Sequence, residues 1–217
     1  MEVYMMYKKI VFFAVLLILF GAPVGVLADE SAKIPEYFET SFSHESRGNY
    51  AEALNSVLRI LRIDQRNYTA MLRAGWLGYL KGDYKNSVSY YRKAVLLEPE
   101  AVEPKLGLML PLMASKEWDA AGDVAREILK FDEKNYLANS RLAYIFFSLD
   151  RYGEAEKQYR KIIAWYPSDI EMKIGLGWTL VRMDNKKEAA GIFRDVLTVR
   201  KNNTSAHDGM ELIENGK

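Results

Sequence analysis

Residues Tyr68 to Ala101, YTAMLRAGWLGYLKGDYKNSVSYYRKAVLLEPEA, decide the fold, because their landmarks return every 34 residues from Ile34 to Asn203. A fixed period of this length marks a stack of like units. Within the stretch, Gly75 and Ser87 are small residues where two helices would cross, Gly82, Asp83 and Tyr84 form the turn between them, and Ala94 and Pro99 close the second helix. The turn segments GNY at Gly48, GDY at Gly82, KEW at Lys116, DRY at Asp150 and DNK at Asp184 start 34 residues apart without insertion. Three residues beyond each comes Ala53, Ser87, Ala121, Ala155 or Ala189, and before each stands the less regular series Ser41, Gly75, Met109, Ala143 and Gly177. Small side chains at both places let paired helices pack closely at a shallow crossing angle. Tyr50, Tyr84, Trp118 and Tyr152 would cover that crossing. Lys186 breaks the aromatic series, which predicts a looser fifth turn.

That order of small residue, turn, aromatic, small residue and terminal proline resembles the tetratricopeptide repeat. The resemblance implies an all-α, right-handed solenoid of five helix-turn-helix units at 34–67, 68–101, 102–135, 136–169 and 170–203, with a capping helix and tail at 204–217. It also implies a non-enzymatic protein-binding scaffold whose first helices line a concave surface. Composition agrees, since Ala, Leu, Lys, Arg and Glu dominate the units and proline sits almost entirely at helix ends, as helix propensity requires. Single helices of about a dozen residues are marginal alone, so the array rather than the unit is expected to fold. In the third unit Pro111 falls inside GLMLPLMAS and costs about 3 kcal/mol in an ordinary helix interior. Either the centre of the stack bends there or Met109 and Met113 absorb the distortion.

Residues Met1 to Ala28 lie outside the periodic pattern. Lys8 and Lys9 precede the apolar run IVFFAVLLILF from Ile10 to Phe20, and Val26 and Ala28 are the small residues of a cleavage site. This reads as a secretory signal peptide. The alternative is an uncleaved anchor, since the apolar stretch extends through Gly21, Pro23 and Gly25 to Ala28. Residues 29–33 form a short polar linker. The chain is thus expected to be exported, periplasmic or secreted, or else held at the inner membrane by its leader. It contains no cysteine, which excludes disulfides, thiolate chemistry, cysteine-ligated metal and a lipoprotein anchor. Loss of Glu2, Lys8 and Lys9 with the leader brings the formal charge of +1 close to zero. That argues against nucleic acid or anionic lipid as a partner, because both are held by clustered positive charge.

The residue after each small crossing position should face the groove, and these read Phe42, Trp76, Leu110, Tyr144 and Trp178. One turn away lie Phe38, Leu72, Tyr79, Leu106, Met113 and Phe147. Exposed apolar patches of several hundred Å² mark interaction sites, and Trp and Tyr are enriched at binding hot spots. The competing reading makes these rings ordinary packing between units. Arg73 and Arg141, two units apart, would add anchors for a carboxylate or backbone carbonyls, or else remain solvated charges. Of the Lys, Asn and Arg clamp by which some members of the resembled family hold a terminal carboxylate, only Arg73 is compatible; Phe38, Phe42, Glu103 and Gly107 occupy the other positions.

Catalysis finds no support. His44 and His207 stand at opposite ends of the array, and no GxxxxGK or GxGxxG run is present, so neither a histidine-based metal or catalytic set nor a phosphate cradle is expected. No cofactor is implied. The sequons at Asn67 and Asn202 matter only in a eukaryotic secretory host. The sequence therefore predicts a cell-envelope scaffold that binds another protein or peptide in an apolar groove, with the membrane contacted only through the leader. The alternative is a self-associating or convex-face-docked component of a secretion, pilus or polysaccharide-export assembly.

Overall fold

The computed structural model describes residues 30–216, so the leader of residues 1–28 falls outside the described residues. Eleven helices follow one another: α1 (Ile34–Glu45), α2 (Tyr50–Ile63), α3 (Tyr68–Leu80), α4 (Tyr84–Leu97), α5 (Val102–Ala114), α6 (Trp118–Phe131), α7 (Tyr136–Ser148), α8 (Tyr152–Trp165), α9 (Ile170–Arg182), α10 (Lys186–Val199) and α11 (Thr204–Asn215). Residues 30–33, expected as a linker, instead make a helical turn leading into α1, closed by the Lys33 N–H on the Glu30 carbonyl at 3.1 Å.

The period is visible at both ends of the first helices. Asn67, Asn135, Asp169 and Asn203 cap α3, α7, α9 and α11, each side-chain oxygen accepting the N–H three residues on, at 2.8 to 3.1 Å. Such a cap is worth about 1 kcal/mol. At the C-termini a left-handed residue stops each helix: Gly48 (φ 76°), Gly82 (φ 79°), Lys116 (φ 61°), Asp150 (φ 57°) and Asp184 (φ 59°). The next N–H then reaches back to the last turn, Asn49 to His44, Asp83 to Gly78, Glu117 to Leu112, Arg151 to Phe146 and Asn185 to Leu180, at 2.8 to 3.0 Å. This is the Schellman closure. The fifth turn is therefore as tight as the others. A backbone bond holds it, so Lys186 in place of an aromatic ring does not loosen it.

All ten crossing positions are buried. Ala53, Ser87, Ala121, Ala155 and Ala189 face Ser41, Gly75, Met109, Ala143 and Gly177 with no more than marginal solvent contact. Gly78 lies closest of all, since a Cβ there would stand 3.3 Å from the Ser87 backbone. Ser87 Oγ donates to the Gly75 carbonyl at 2.6 Å, which satisfies the one hydroxyl in this series on α4. Pro111 is buried inside α5, which runs unbroken from Val102 to Ala114.

Consecutive units are joined by a second alternation. Tyr91 of α4 fills the space left by Gly75 and Gly107, Tyr159 of α8 packs on Gly175, and Phe193 of α10 packs on Gly177 and Gly209. Where the second helix carries a small residue instead, Val57 or Ala125, the next first helix carries Arg73 or Arg141. From α3 onward each first helix also touches the next one, α3 to α5, α5 to α7, α7 to α9 and α9 to α11, whereas second helices meet one another marginally at most. First helices thus form the inner wall of the stack. At its end, Ala206 and Gly209 of α11 are buried while Glu211, at the position of the buried Gly177, and Glu214 are exposed. A polar outer face of this kind is what ends a solenoid.

Candidate partner-binding groove

Along the inner wall, the residue following each crossing position remains accessible. Phe42 is 50% exposed and Tyr144 49%, while Trp76, Leu110 and Trp178 are half-buried. The series has a sixth member. Leu212, 34 residues after Trp178, is 53% exposed on α11. Its spacing was legible, but α11 was treated as a cap rather than as wall. Phe38, Leu72, Tyr79, Leu106, Met113 and Phe147 are partly buried among these rings.

The N-terminal part of the wall is a polar cluster. Arg73 Nη2 donates to Glu45 Oε2 and to Ser41 Oγ, both at 2.8 Å, and its guanidinium lies 3.6 Å from the centroid of the Phe42 ring. The second Glu45 oxygen accepts the Trp76 indole N–H at 2.6 Å. Side-chain exposure is 11% for Arg73 and 23% for Glu45. A charged pair of this burial holds only when both partners are satisfied by hydrogen bonds. Glu45 therefore fixes Arg73 and Trp76 together.

Arg141 is likewise committed, donating to the Leu106 carbonyl at 2.5 Å. Burial lowers its pKa, opposed by the Tyr79 and Tyr91 hydroxyls nearby. The expected pair of free or solvated arginines is thus replaced by two cross-unit anchors, each reaching the first helix of the preceding unit. Tyr91, the ring between Gly75 and Gly107, has its pKa raised mainly by burial.

The C-terminal part is open. A cleft of about 430 Å³ lies between α7 and α9, walled by Tyr144, Phe147, Ile174 and Trp178 and floored by Tyr159. Ser140 and Glu171 stand at its mouth. Each ring is held from behind. Tyr144 packs edge-on against Trp118 at 5.9 Å, and Trp178 packs against Phe193 at 5.6 Å while its indole N–H donates to Ser205 Oγ at 2.8 Å. Burial raises the Tyr159 pKa, keeping its hydroxyl neutral. The arrangement offers a pre-formed apolar recess with fixed aromatic walls and no group poised for proton transfer or nucleophilic attack. Both histidines are remote, His44 on α1 and His207 on α11, where His207 Nε2 lies 2.8 Å from the Lys201 carbonyl oxygen.

An eleven-helix solenoid of paired helices with an inner aromatic wall defines a helical-repeat protein, and sequence comparison specifies which. The chain belongs to the tetratricopeptide repeat family, whose models match residues 43–102 and 137–169. Members of this family generally serve as protein-interaction scaffolds. Among curated relatives, the TPR repeat-containing protein YpiA of Bacillus subtilis is 24% identical over 178 residues, covering 82% of this chain and 42% of that protein. A protein named for cytochrome c-type biogenesis, CcmH of Haemophilus influenzae, is 29% identical over 155 residues, covering 68% of this chain and 34% of that one. The chain thus spans less than half the length of these two relatives. Among solved structures, a tetratricopeptide repeat protein from Parabacteroides merdae superposes with a TM-score of 0.77 at 16% identity, covering 84% of this chain and 72% of that one. YrrB, described as a TPR protein with an unusual peptide-binding site, superposes at 0.68 with 18% identity, covering 81% and 91%. These likenesses establish the fold.

Proposed function

We propose that the chain is an exported scaffold that holds a segment of a partner protein in its inner groove. The observation that carries this reading is the α7/α9 cleft, because rigid aromatic walls around an empty apolar recess are suited to burying a side chain of a bound segment. Tyr144 and Trp178 are the anchors, with Phe147 and Ile174 completing the recess. Leu110 and Leu72 extend the wall toward α3, and Phe42 and Phe38 toward α1. Trp76, Arg73 and Arg141 serve the wall from behind rather than the ligand, since their polar atoms bond the chain itself. The leader of residues 1–28 and the similarity to CcmH support a setting in the cell envelope, and the peptide-binding site named for YrrB supports a peptide ligand.

Photo-crosslinking in the native host tests this. A photoreactive residue replaces Tyr144, and a control replaces Lys161, which lies on α8 in an ion pair with Glu133. A partner protein trapped from position 144 and absent from position 161 supports the groove. Adducts from 161 alone, or only to a second copy of the chain, would replace this reading with a structural, self-associating component.

A further inference from the structure

The outer face of the first two units carries charge that the fold leaves unused. Arg59 and Arg62 on α2 and Lys85, Arg92 and Lys93 on α4 are all exposed, and Glu52 is the one acidic residue on these two helices. None of the five cations makes an ion pair. Their ring contacts are confined to Arg59 over Tyr37 and Lys93 over Tyr90. The neighbouring acids are engaged locally, Asp64 with Arg66 and Asn67 and Asp83 with Asn86. Elsewhere the outer face is neutralised within itself, by Arg126 with Asp123, Arg160 with Glu156 and Glu188, Lys161 with Glu133, and Lys173 with Asp195.

Between α2 and α4 this basic surface opens into a cleft of about 490 Å³, with Leu58, Leu61, Met71 and Tyr90 as its apolar lining and Arg62, Gln65 and Lys93 at its rim. Repeat register explains why it is open here. Met71 stands where later units carry Lys105, Asn139 and Lys173, and Lys93 stands where they carry Glu127, Lys161 and Asp195. In the fifth unit these two positions close on one another as the Lys173–Asp195 pair, and in the fourth Asn139 is held by Gln158. In the second unit an apolar side chain faces a cation, and neither finds a partner. Leu96, one turn beyond Arg92 and Lys93, is 79% exposed and continues the apolar strip.

We propose that this outer cleft docks an acidic amphipathic helix of a partner protein, with apolar side chains seated over Met71 and Tyr90 and carboxylates meeting Arg62 and Lys93. A helix displays apolar side chains one turn apart beside charged ones, which matches a concave apolar strip with cations along its rim. An anionic bilayer offers the same charge on a flat surface and has nothing to fill the recess. The site is separate from the inner groove and does not depend on it.

The test is fluorescence anisotropy of the full chain with a labelled helical peptide of about 16 residues, long enough to be helical once docked, carrying leucines one turn apart flanked by glutamates. Its Glu→Gln and Glu→Lys analogues are titrated beside it. The acidic peptide is expected to bind about ten-fold or more tightly than the Gln analogue, with affinity falling as salt rises. Arg62→Glu with Lys93→Glu should abolish that preference and transfer it to the Lys analogue, while Arg126→Glu leaves it in place. Arg62→Gln with Lys93→Gln provides a milder variant with the same expected loss should the reversal disturb folding. Equal binding of all three peptides, no binding of the acidic one, or a preference that survives both double variants would overturn the proposal. So would retention of the chain through Arg62 and Lys93 on vesicles containing phosphatidylglycerol, without peptide binding.

Discussion

Replacing Gly107 by alanine probes how the units are locked together. The new Cβ would stand 2.2 Å from Cε1 of Tyr91, 2.6 Å from Cζ and 2.8 Å from Cδ1. The ring has nowhere to retreat, because a Cβ at Gly75, on the other side, would meet it at 2.8 Å. It is also buried, so solvent cannot accommodate the shift. Overpacking a core typically costs 1–3 kcal/mol, and a ring clamped from two sides belongs at the upper end, about 3 kcal/mol. Against this, exchanging glycine for alanine inside a helix returns roughly 1 kcal/mol. The expected net loss is about 2 kcal/mol, some 4–8 °C in melting temperature for a chain of this size.

The decisive assay is a double-mutant cycle by urea denaturation. Tyr91→Ala alone should cost about 3–5 kcal/mol through the cavity it leaves. In that background Gly107→Ala should become stabilising by roughly 1 kcal/mol, since only helix propensity then acts. The coupling between the two sites is therefore about 3 kcal/mol, within the range measured for residues in contact. A neutral or stabilising Gly107→Ala in the otherwise unchanged chain, or a coupling below about 0.5 kcal/mol, would refute the ring-on-glycine account of the joints.

Glu45→Gln should destabilise by about 2 kcal/mol, because it leaves the Arg73 charge buried without its counter-ion; thermal denaturation measures the loss, and a shift in the fluorescence of Trp76 reports the broken indole bond. Lys116→Gly should raise stability by about 0.5–1 kcal/mol, as glycine relieves the left-handed backbone but gives back part of the gain in unfolded-state entropy. Tyr136, with its pKa pushed up to about 12 by burial and by its hydrogen bond to Asp169, favours folding fully below its unfolded value near 10 and loses that contribution as pH rises through the folded value. Stability should therefore fall between about pH 10 and 12, read by circular dichroism, and Tyr136→Phe should make that fall shallower.

The period, the helix pairs, the turns and the crossing positions were legible because each is a local requirement repeated at a fixed spacing. What stayed hidden depends on contacts between units. Glu45 aligns with Tyr79, Met113 and Phe147 in later units, so its position suggests one more groove side chain. Its role emerges only when Arg73 and Trp76 of the next first helix close over it. The fifth turn was misjudged for a related reason, since an aromatic residue accompanies the turn in four units but the backbone bond of Asn185 to Leu180 holds it. One signal was present and went unread. Val57, Tyr91, Ala125, Tyr159 and Phe193 are followed sixteen residues later by Arg73, Gly107, Arg141, Gly175 and Gly209, and volume compensation between the two series is visible without coordinates.

That alternation also decides where the groove is open. At a joint with a small second-helix residue, the following arginine fills the space and crosses to the preceding first helix, as Arg73 does to Glu45 and Arg141 to Leu106. The inner wall is then tied across by a polar bridge. At the joint between α8 and α9, Tyr159 fills the interior instead, and Gly175 presents no side chain to the wall. The recess bounded by Tyr144 and Trp178 sits directly over this pair, with Tyr159 and Gly175 among its lining. An arginine at position 175 would meet the Tyr159 ring behind it and project across the cleft in front. The same glycine that lets two units interlock therefore keeps the binding surface clear, so packing and recognition are set by one position and cannot vary independently.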